Sequence, residues 1–307
     1  PRPLDDGGFD PRPFRARDHH GDRIERPGPL AALRIAVDVI GDAVRLNELD
    51  AAELWNFPFD YIESLSYDIR IRLRPPHDPS NLVQTVVVDR STVAALQRVP
   101  DAKDHYNLLD VISQGHPKYI VYLIHPTEIT GSFEDFQEFA RIGKDLPLYI
   151  AIQGVALQGE EEKFELAPPL DVIKVFSGPK TFDRNIFAKD NVSRRIMLSY
   201  QGRKTLHPFL AAQFNPKIDD LRKVRGAFTF LDSDQAYIDF RPTGSYRPIS
   251  LIDVLNRRVD PAIFKDKIVI VGRDTGTTVK DYTRTPYSRD IVAMSNLELH
   301  ANMFDTL

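Results

Sequence analysis

Short runs of β-branched and apolar residues separated by amphipathic stretches do most to limit what this chain can become. They are "TVVVD" (85–89), "YIVYLI" (119–124), "PLYIAI" (147–152), "DVIKVF" (171–176), "RIMLSY" (195–200) and "KIVIVG" (267–272). Each is strand-length and apolar on both alternating faces, as a strand covered from two sides must be. Residues 91–115 and 133–145 lie between the early runs and have helical spacing. Strand–helix–strand alternation predicts an α/β fold with a mostly parallel sheet covered by helices on both faces. Two further runs, 227–232 and 236–240, are joined by "SDQ" and predict an antiparallel hairpin, which makes the expected sheet mixed.

The N-terminal region has a different character. Residues 1–29 are rich in Pro, Arg, Asp and Gly without apolar period and predict a flexible arm. His19 and His20 lie in it without further ligands at a metal-binding spacing, so solvated histidines are the simpler reading. From Leu30, apolar residues repeat at Leu33, Val37, Ile40 and Val44, a narrow stripe on a long helix. It serves either as packing on the chain's own domain or as a dimer seam. "YDIRIRL" (67–73) alternates Ile69, Ile71 and Leu73 with arginines and predicts a strand with a wet basic face; a helix running to Pro75 is the other reading. Residues 157–192 are irregular and predict a surface excursion, and a single domain over 30–307 follows.

Several functions are excluded by composition. The net charge of -4 gives no basic field for nucleic acid. The absence of cysteine removes thiolate catalysis, disulfides and Cys-ligated metals. No apolar run of about 18 residues is present to span a bilayer.

Ligands of α/β sheets gather beyond the carboxyl ends of strands, and two loops qualify. One follows residues 85–89 and carries Asp89, Arg90, Ser91 and Thr92; the other follows 267–272 and carries Arg273, Asp274, Thr275, Gly276 and Asp281. The second lacks GxGxxG spacing and a P-loop ending, so a loop closing over the sheet edge competes with an anion site. Asp89 and Asp281 form a carboxylate pair only if the two loops meet. No GxSxG or HExxH occurs, and His125 and His207, each before a proline, read as loop residues. A soluble enzyme built on the Asp89 and 272–281 loops, and a solute-binding protein, are the alternatives these residues leave open.

The C-terminal stretch "FKDKIVIVGRDTGTTVKDYTRTP" followed by "NLELHANMFDTL" resembles the closing signature of the type-2 CHASE domain, a cyclase/histidine-kinase-associated sensory extracellular domain. The matching positions are Val271 and Gly272, then Asp281, then Thr285 and Pro286, then Glu298, Leu299, His300, Ala301 and Asn302. Upstream, Tyr67 and Asp68, "VVVDRST", "RRIMLSYQGRKTLHPFLA" and "FRPTGSYRPISLIDVL" are similar to the family's earlier blocks, so the likeness covers roughly 60–307. After Asp89, "RVPDAKDHY" replaces the family's Trp-Pro-Trp-Pro-Arg, and His125 stands where the second strand usually ends in Asp.

The resemblance implies a sensory domain outside the cytoplasm of a membrane-anchored bacterial receptor. It also implies a cytoplasmic output module such as a nucleotide cyclase, diguanylate cyclase or kinase, with the last helix leading towards a membrane segment. On that basis Asp89, Arg90, Arg273, Thr275 and Asp281 are the candidate ligand contacts. Leu33, Val37, Ile40, Val44, His300 and Phe304 are candidates for signal-carrying helices. No cofactor or metal is expected. The expected partners are a small-molecule or protein signal and a second copy of the receptor, weakly held once the membrane segments are gone.

Overall fold

The computed structural model describes residues 51–152, 166–177, 190–230, 232–277, 279–288 and 293–307. The 1–29 arm and the Leu33, Val37, Ile40 and Val44 stripe lie outside the described residues. So does most of 157–192. The account below concerns the compact unit from Asn56 to Leu307.

Six strands form a fully parallel sheet: β1 (Val83–Asp89), β2 (Tyr119–Tyr122), β3 (Leu148–Ile152), β4 (Lys174–Ser177), β9 (Ile249–Ser250) and β10 (Ile268–Asp274). Their spatial order is β4-β3-β2-β10-β1-β9. The last long strand, β10, is therefore inserted between the first two, pairing Val83–Asp89 with Ile268–Asp274 on one side and β2 on the other. Alternate residues face opposite sides of a strand, and each side has its own helices. Val86, Val88, Val269 and Val271 pack under α3 (Ala102–Gln114), α4 (Phe133–Asp145) and the short α6 (Leu251–Leu255). Val87, Val121, Ile268 and Ile270 pack under α5 (Leu206–Ala211) and α7 (Asn296–Thr306). The expected two-sided cover is thus present. The short helix α2 (Arg90–Leu96) directly follows β1.

The helix starts follow local chemistry. Asp101 and Asp104 form a capping box at α3, and Ser132 and Asp135 form another at α4. Each satisfies backbone N–H groups that the first turn leaves without partners.

The antiparallel strands form a sheet of their own. β5 (Arg195–Tyr200), β6 (Arg203–Lys204), β7 (Phe228–Phe230) and β8 (Ser233–Tyr237) lie in the order β6-β5-β8-β7. A hairpin is present, as β7 and β8, but its connection precedes the expected "SDQ", which opens β8, and it pairs with β5 and not with the parallel strands. A small ribbon of β11 (Tyr282–Thr283) and β12 (Met294–Ser295) precedes α7.

The strand expected at 67–73 is helical. It is the end of α1 (Ala51–Leu73). Ser64, Tyr67, Asp68 and Ile71 are buried, whereas Ile69 and Leu73 are exposed. Intervals of three and four define one helix face, whereas a strand would have buried 67, 69, 71 and 73 together. Tyr67 stacks on Tyr237 with ring centroids 4.6 Å apart and donates its hydroxyl to the Ile238 carbonyl, fixing α1 to the second sheet.

α7 lies between the two sheets. Leu297, Ala301 and Phe304 join the core of the parallel sheet, while Leu299 and Met303 join that of the antiparallel one. α7 is therefore buried on both sides, and its polar residues Glu298, His300 and Asn302 are buried with it. Gly272 in β10 is part of the fit: a Cβ there would lie 3.1 Å from Leu297 Cδ1, so the strand and helix backbones approach closely.

Candidate functional site

The two loops singled out from the sequence leave the same end of the parallel sheet. Asp89 and Asp274 are partners in the β1–β10 register, and Arg90 Nε donates to the Thr275 carbonyl at 2.7 Å. Gly276 makes this possible. Its φ is +72°, and a Cβ there would sit 2.5 Å from Arg90 Nη2. Its N–H donates to the Tyr282 hydroxyl at 2.7 Å, and that hydroxyl donates to Asp274. Burial and the Asp274 carboxylate push the Tyr282 phenol up to about 12, so it remains a donor.

Asp89, Arg90 and Thr275 are therefore brought together, but Asp89 serves the fold. Its Oδ1 accepts from the Thr92 N–H at 2.8 Å, the Thr92 hydroxyl at 2.7 Å and the Ser250 hydroxyl at 2.9 Å. It caps α2 and ties β1 to the start of α6. Burial pushes its pKa up, but the hydrogen bonds from Thr92, Ser91 and Ser250 outweigh this and hold it below the usual value.

We expect Asp89→Ala to lose about 1–2 kcal/mol, the upper range for an N-cap. A depressed folded pKa contributes stability above the unfolded value, and that stability is lost as pH falls through the folded one. The gap between variant and wild type in urea unfolding should be full at pH 7 and close as pH drops below 3.8. An undiminished gap in acid would show that the carboxylate charge is not the source.

Arg273 and Asp281 belong to a different cluster from Asp89. Together with Leu123, Ile124, Glu128, Asn296 and Leu297 they line an open cleft. Leu123 and Ile124 leave the end of β2, and Arg273 lies at the end of β10. The cleft thus opens beyond the carboxyl ends of neighbouring parallel strands, at the place where the chain order of the sheet reverses. Arg273 Nη1 is 2.5 Å from Glu128 Oε2 in a half-buried ion pair. Glu128 is placed there by the 3-10 turn Pro126–Glu128, which His125 caps by accepting from the Thr127 N–H at 3.2 Å. Beneath Arg273, Tyr122 and His105 are hydrogen bonded in the core; burial pushes the His105 imidazole down to about 4, so it is neutral at pH 7.

Sequence reasoning missed Glu128 and Asn296. Asn296 directly follows β12, whereas Glu128 closes the 3-10 turn six residues after β2, so neither followed one of the long apolar runs that marked the other loops.

The Glu298–Asn302 segment, by contrast, is internal structure. Glu298 accepts from the Gly244 and Ser245 N–H groups at 2.7 and 3.1 Å, and burial raises its pKa against those bonds. His300 Nδ1 meets His207 Nε2 at 2.9 Å, with the His207 ring 4.7 Å from that of Phe304. Asn302 Oδ1 accepts from the Arg241 N–H at 2.8 Å. Glu298 and His300, two residues apart and on different faces, are both buried because both faces of α7 are covered. Among the described residues, no group of three His, Asp or Glu side chains is disposed to hold a metal.

In comparison with known proteins, a family model for the CHASE2 domain matches residues 48–307. No curated protein and no solved structure gave a match.

Proposed function

Because this chain belongs to the CHASE2 family, sensory domains of signalling receptors, we propose that it senses a signal on the extracytoplasmic face of a bacterial membrane. The signal, a small molecule or a protein, biases a cytoplasmic output module; a nucleotide cyclase is the first choice, followed by diguanylate cyclase or kinase. The parent receptor is anchored in the membrane and works as a homodimer. Among the described residues no helix is long and apolar enough to cross a membrane, so the anchor is assigned to other parts of the parent.

One observation carries this reading. Asn296 and Leu297, the first two residues of α7, line the cleft that also holds Arg273 and Asp281. A ligand contacting Arg273 or Asp281 would therefore bear on the start of a helix packed between two sheets. Such a helix shifts as a unit because packed cores rearrange between discrete states and do not deform continuously. His300 and Phe304 lie along that helix and carry the displacement towards Leu307.

The parent receptor in its membrane provides the test. Val99 is 56% exposed, so Val99→Cys should react with a membrane-impermeant maleimide in intact cells, above the background of the unsubstituted receptor. Labelling only after lysis would place the domain in the cytoplasm and refute the proposal. In the same receptor, Arg273→Ala is expected to change basal output severalfold, whereas Lys103→Ala, on the exposed side of α3, leaves it unchanged.

A further inference from the structure

α1 has two apolar faces, and the described residues cover only one. Tyr67 and Ile71 are buried against the second sheet, at 6% exposure each. On the opposite side Ile62, Leu65, Ile69 and Leu73 are 62%, 49%, 50% and 79% exposed. At 100° per residue these four fall within an arc of about 80°, and they extend about 17 Å along the axis. A helix whose outer face met only water would carry charged residues there. The stripe presents on the order of 500 Å² of apolar surface, at the upper end of what monomers expose without a binding role.

We propose that this stripe is a parallel, two-fold helix–helix seam with a second copy of this chain. The parallel orientation rests on the membrane-anchored reading above, since two copies anchored in one membrane present α1 in the same direction. Area and charge favour a second copy. Two stripes bury about 1,000 Å² together, near the lower end of a specific interface. Such a seam is weak between free domains and sufficient when anchoring raises the effective concentration. A lipid surface is the competing occupant, and it calls for cations flanking the apolar face. Here those cations are engaged by the domain itself: Arg72, although exposed, donates its Nε to the Pro286 carbonyl at 2.5 Å, and Arg74 is paired with Asp239. Arg70, also exposed, shares its flank with Glu63.

The chain contains no cysteine, so single substitutions report directly. In the full 307-residue chain, Ile62→Cys and Ile69→Cys should each form disulfide-linked homodimers under mild oxidation. We expect rates at least ten times that of Lys103→Cys, which serves as the control. Sedimentation equilibrium should show a concentration-dependent dimer that Ile62→Asp with Ile69→Asp abolishes, while the thermal unfolding midpoint is retained.

Five results overturn the seam. Cross-linking no faster than the control, with readily alkylated thiols, means the face is simply free. Thiols shielded from alkylation in a monomer mean that another segment of the chain covers the stripe. Flotation with anionic vesicles, lost in the double Asp variant, makes the partner a lipid surface. Faster linkage between Ile62→Cys and Ile69→Cys chains than within either one makes the packing antiparallel. A dimer that survives the double Asp substitution places the contact elsewhere, and leaves the sensory reading standing on its own labelling test.

Discussion

Replacing Arg194 by Leu should lower the stability of the domain by about 3–5 kcal/mol, the usual cost of removing one partner from a buried ion pair. At roughly 2–4 °C per kcal/mol for a domain of this size, the melting midpoint should fall by about 10 °C. Arg194 is 3% exposed and lies immediately before β5. Its Nε and Nη2 donate to the two oxygens of Asp68 on α1 at 2.7 and 2.8 Å, and Nη2 also reaches Asp190 at 2.6 Å. The guanidinium thus joins the first helix to the second sheet, and its loss leaves the Asp68 carboxylate buried without its main partner.

Burial pushes the Asp190 pKa up, and the bonds from Arg194 more than reverse this. The wild type therefore holds this contribution above the ordinary carboxylate value of 3.8 and loses it as pH falls through the lower, folded value. The difference between the two proteins should narrow in acid. Arg194→Lys keeps the charge without the two-pronged geometry and should recover only part of the loss. A melting curve for Arg194→Leu within 2 °C of wild type, by any reasonable error, would remove the ion pair from the account of how α1 is held.

Asn302→Asp is expected to be nearly as damaging, and its deficit too should fade in acid, but from a charge added to the core and not from a partner removed. Asn302 is fully buried. Its Oδ1 accepts from the Arg241 N–H at 2.8 Å while its Nδ2 donates to the Glu298 carbonyl at 2.9 Å and faces Met294 Sδ at 3.6 Å. An aspartate keeps the first bond but sets an anionic oxygen against a carbonyl and a sulfur. Desolvation then raises its folded pKa above the unfolded value of about 3.9. The variant's deficit should be small below the unfolded pKa and grow as pH rises towards the folded one, to about 3 kcal/mol near neutrality. Urea midpoints with an unchanged m-value across that range would measure it. A deficit independent of pH would mean that geometry, not charge, is responsible.

The sequence revealed strands β1 and β10 because both of their faces are buried, which leaves a run of β-branched residues with no polar interruption. It revealed α4 because residues 133–145 are amphipathic at helical spacing. It misrepresented the end of α1, where arginines at 70, 72 and 74 happen to alternate with apolar residues. The helical evidence there is the burial of Asp68, which depends on Arg194, 126 positions away, and no local window contains both. The β7–β8 hairpin was legible from its two apolar runs, whereas its turn, placed at "SDQ" although those residues open β8, and its sheet were not. Its pairing with β5 joins residues about 35 positions apart. For the cleft, Arg273 and Asp281 follow a long strand and could be marked. Glu128 arrives from the 3-10 turn after β2 and Asn296 from the start of α7 after the antiparallel β11–β12 ribbon, and only the tertiary packing brings them alongside.

The insertion of β10 between β1 and β2 has a consequence for how the chain is made. A ribosome delivers β1 and β2 early and β10 more than a hundred residues later. Until it arrives, both early strands present unpaired N–H and C=O groups along the edges that will become the centre of the sheet. Exposed edges of this kind recruit strands from other chains. Pairing across so long a loop is also slow. The nascent domain therefore has its most aggregation-prone surface at its eventual centre, and residues 268–274 act as the keystone that removes it. For this fold, safe biogenesis depends on shielding the growing chain until residues 268–274 have emerged.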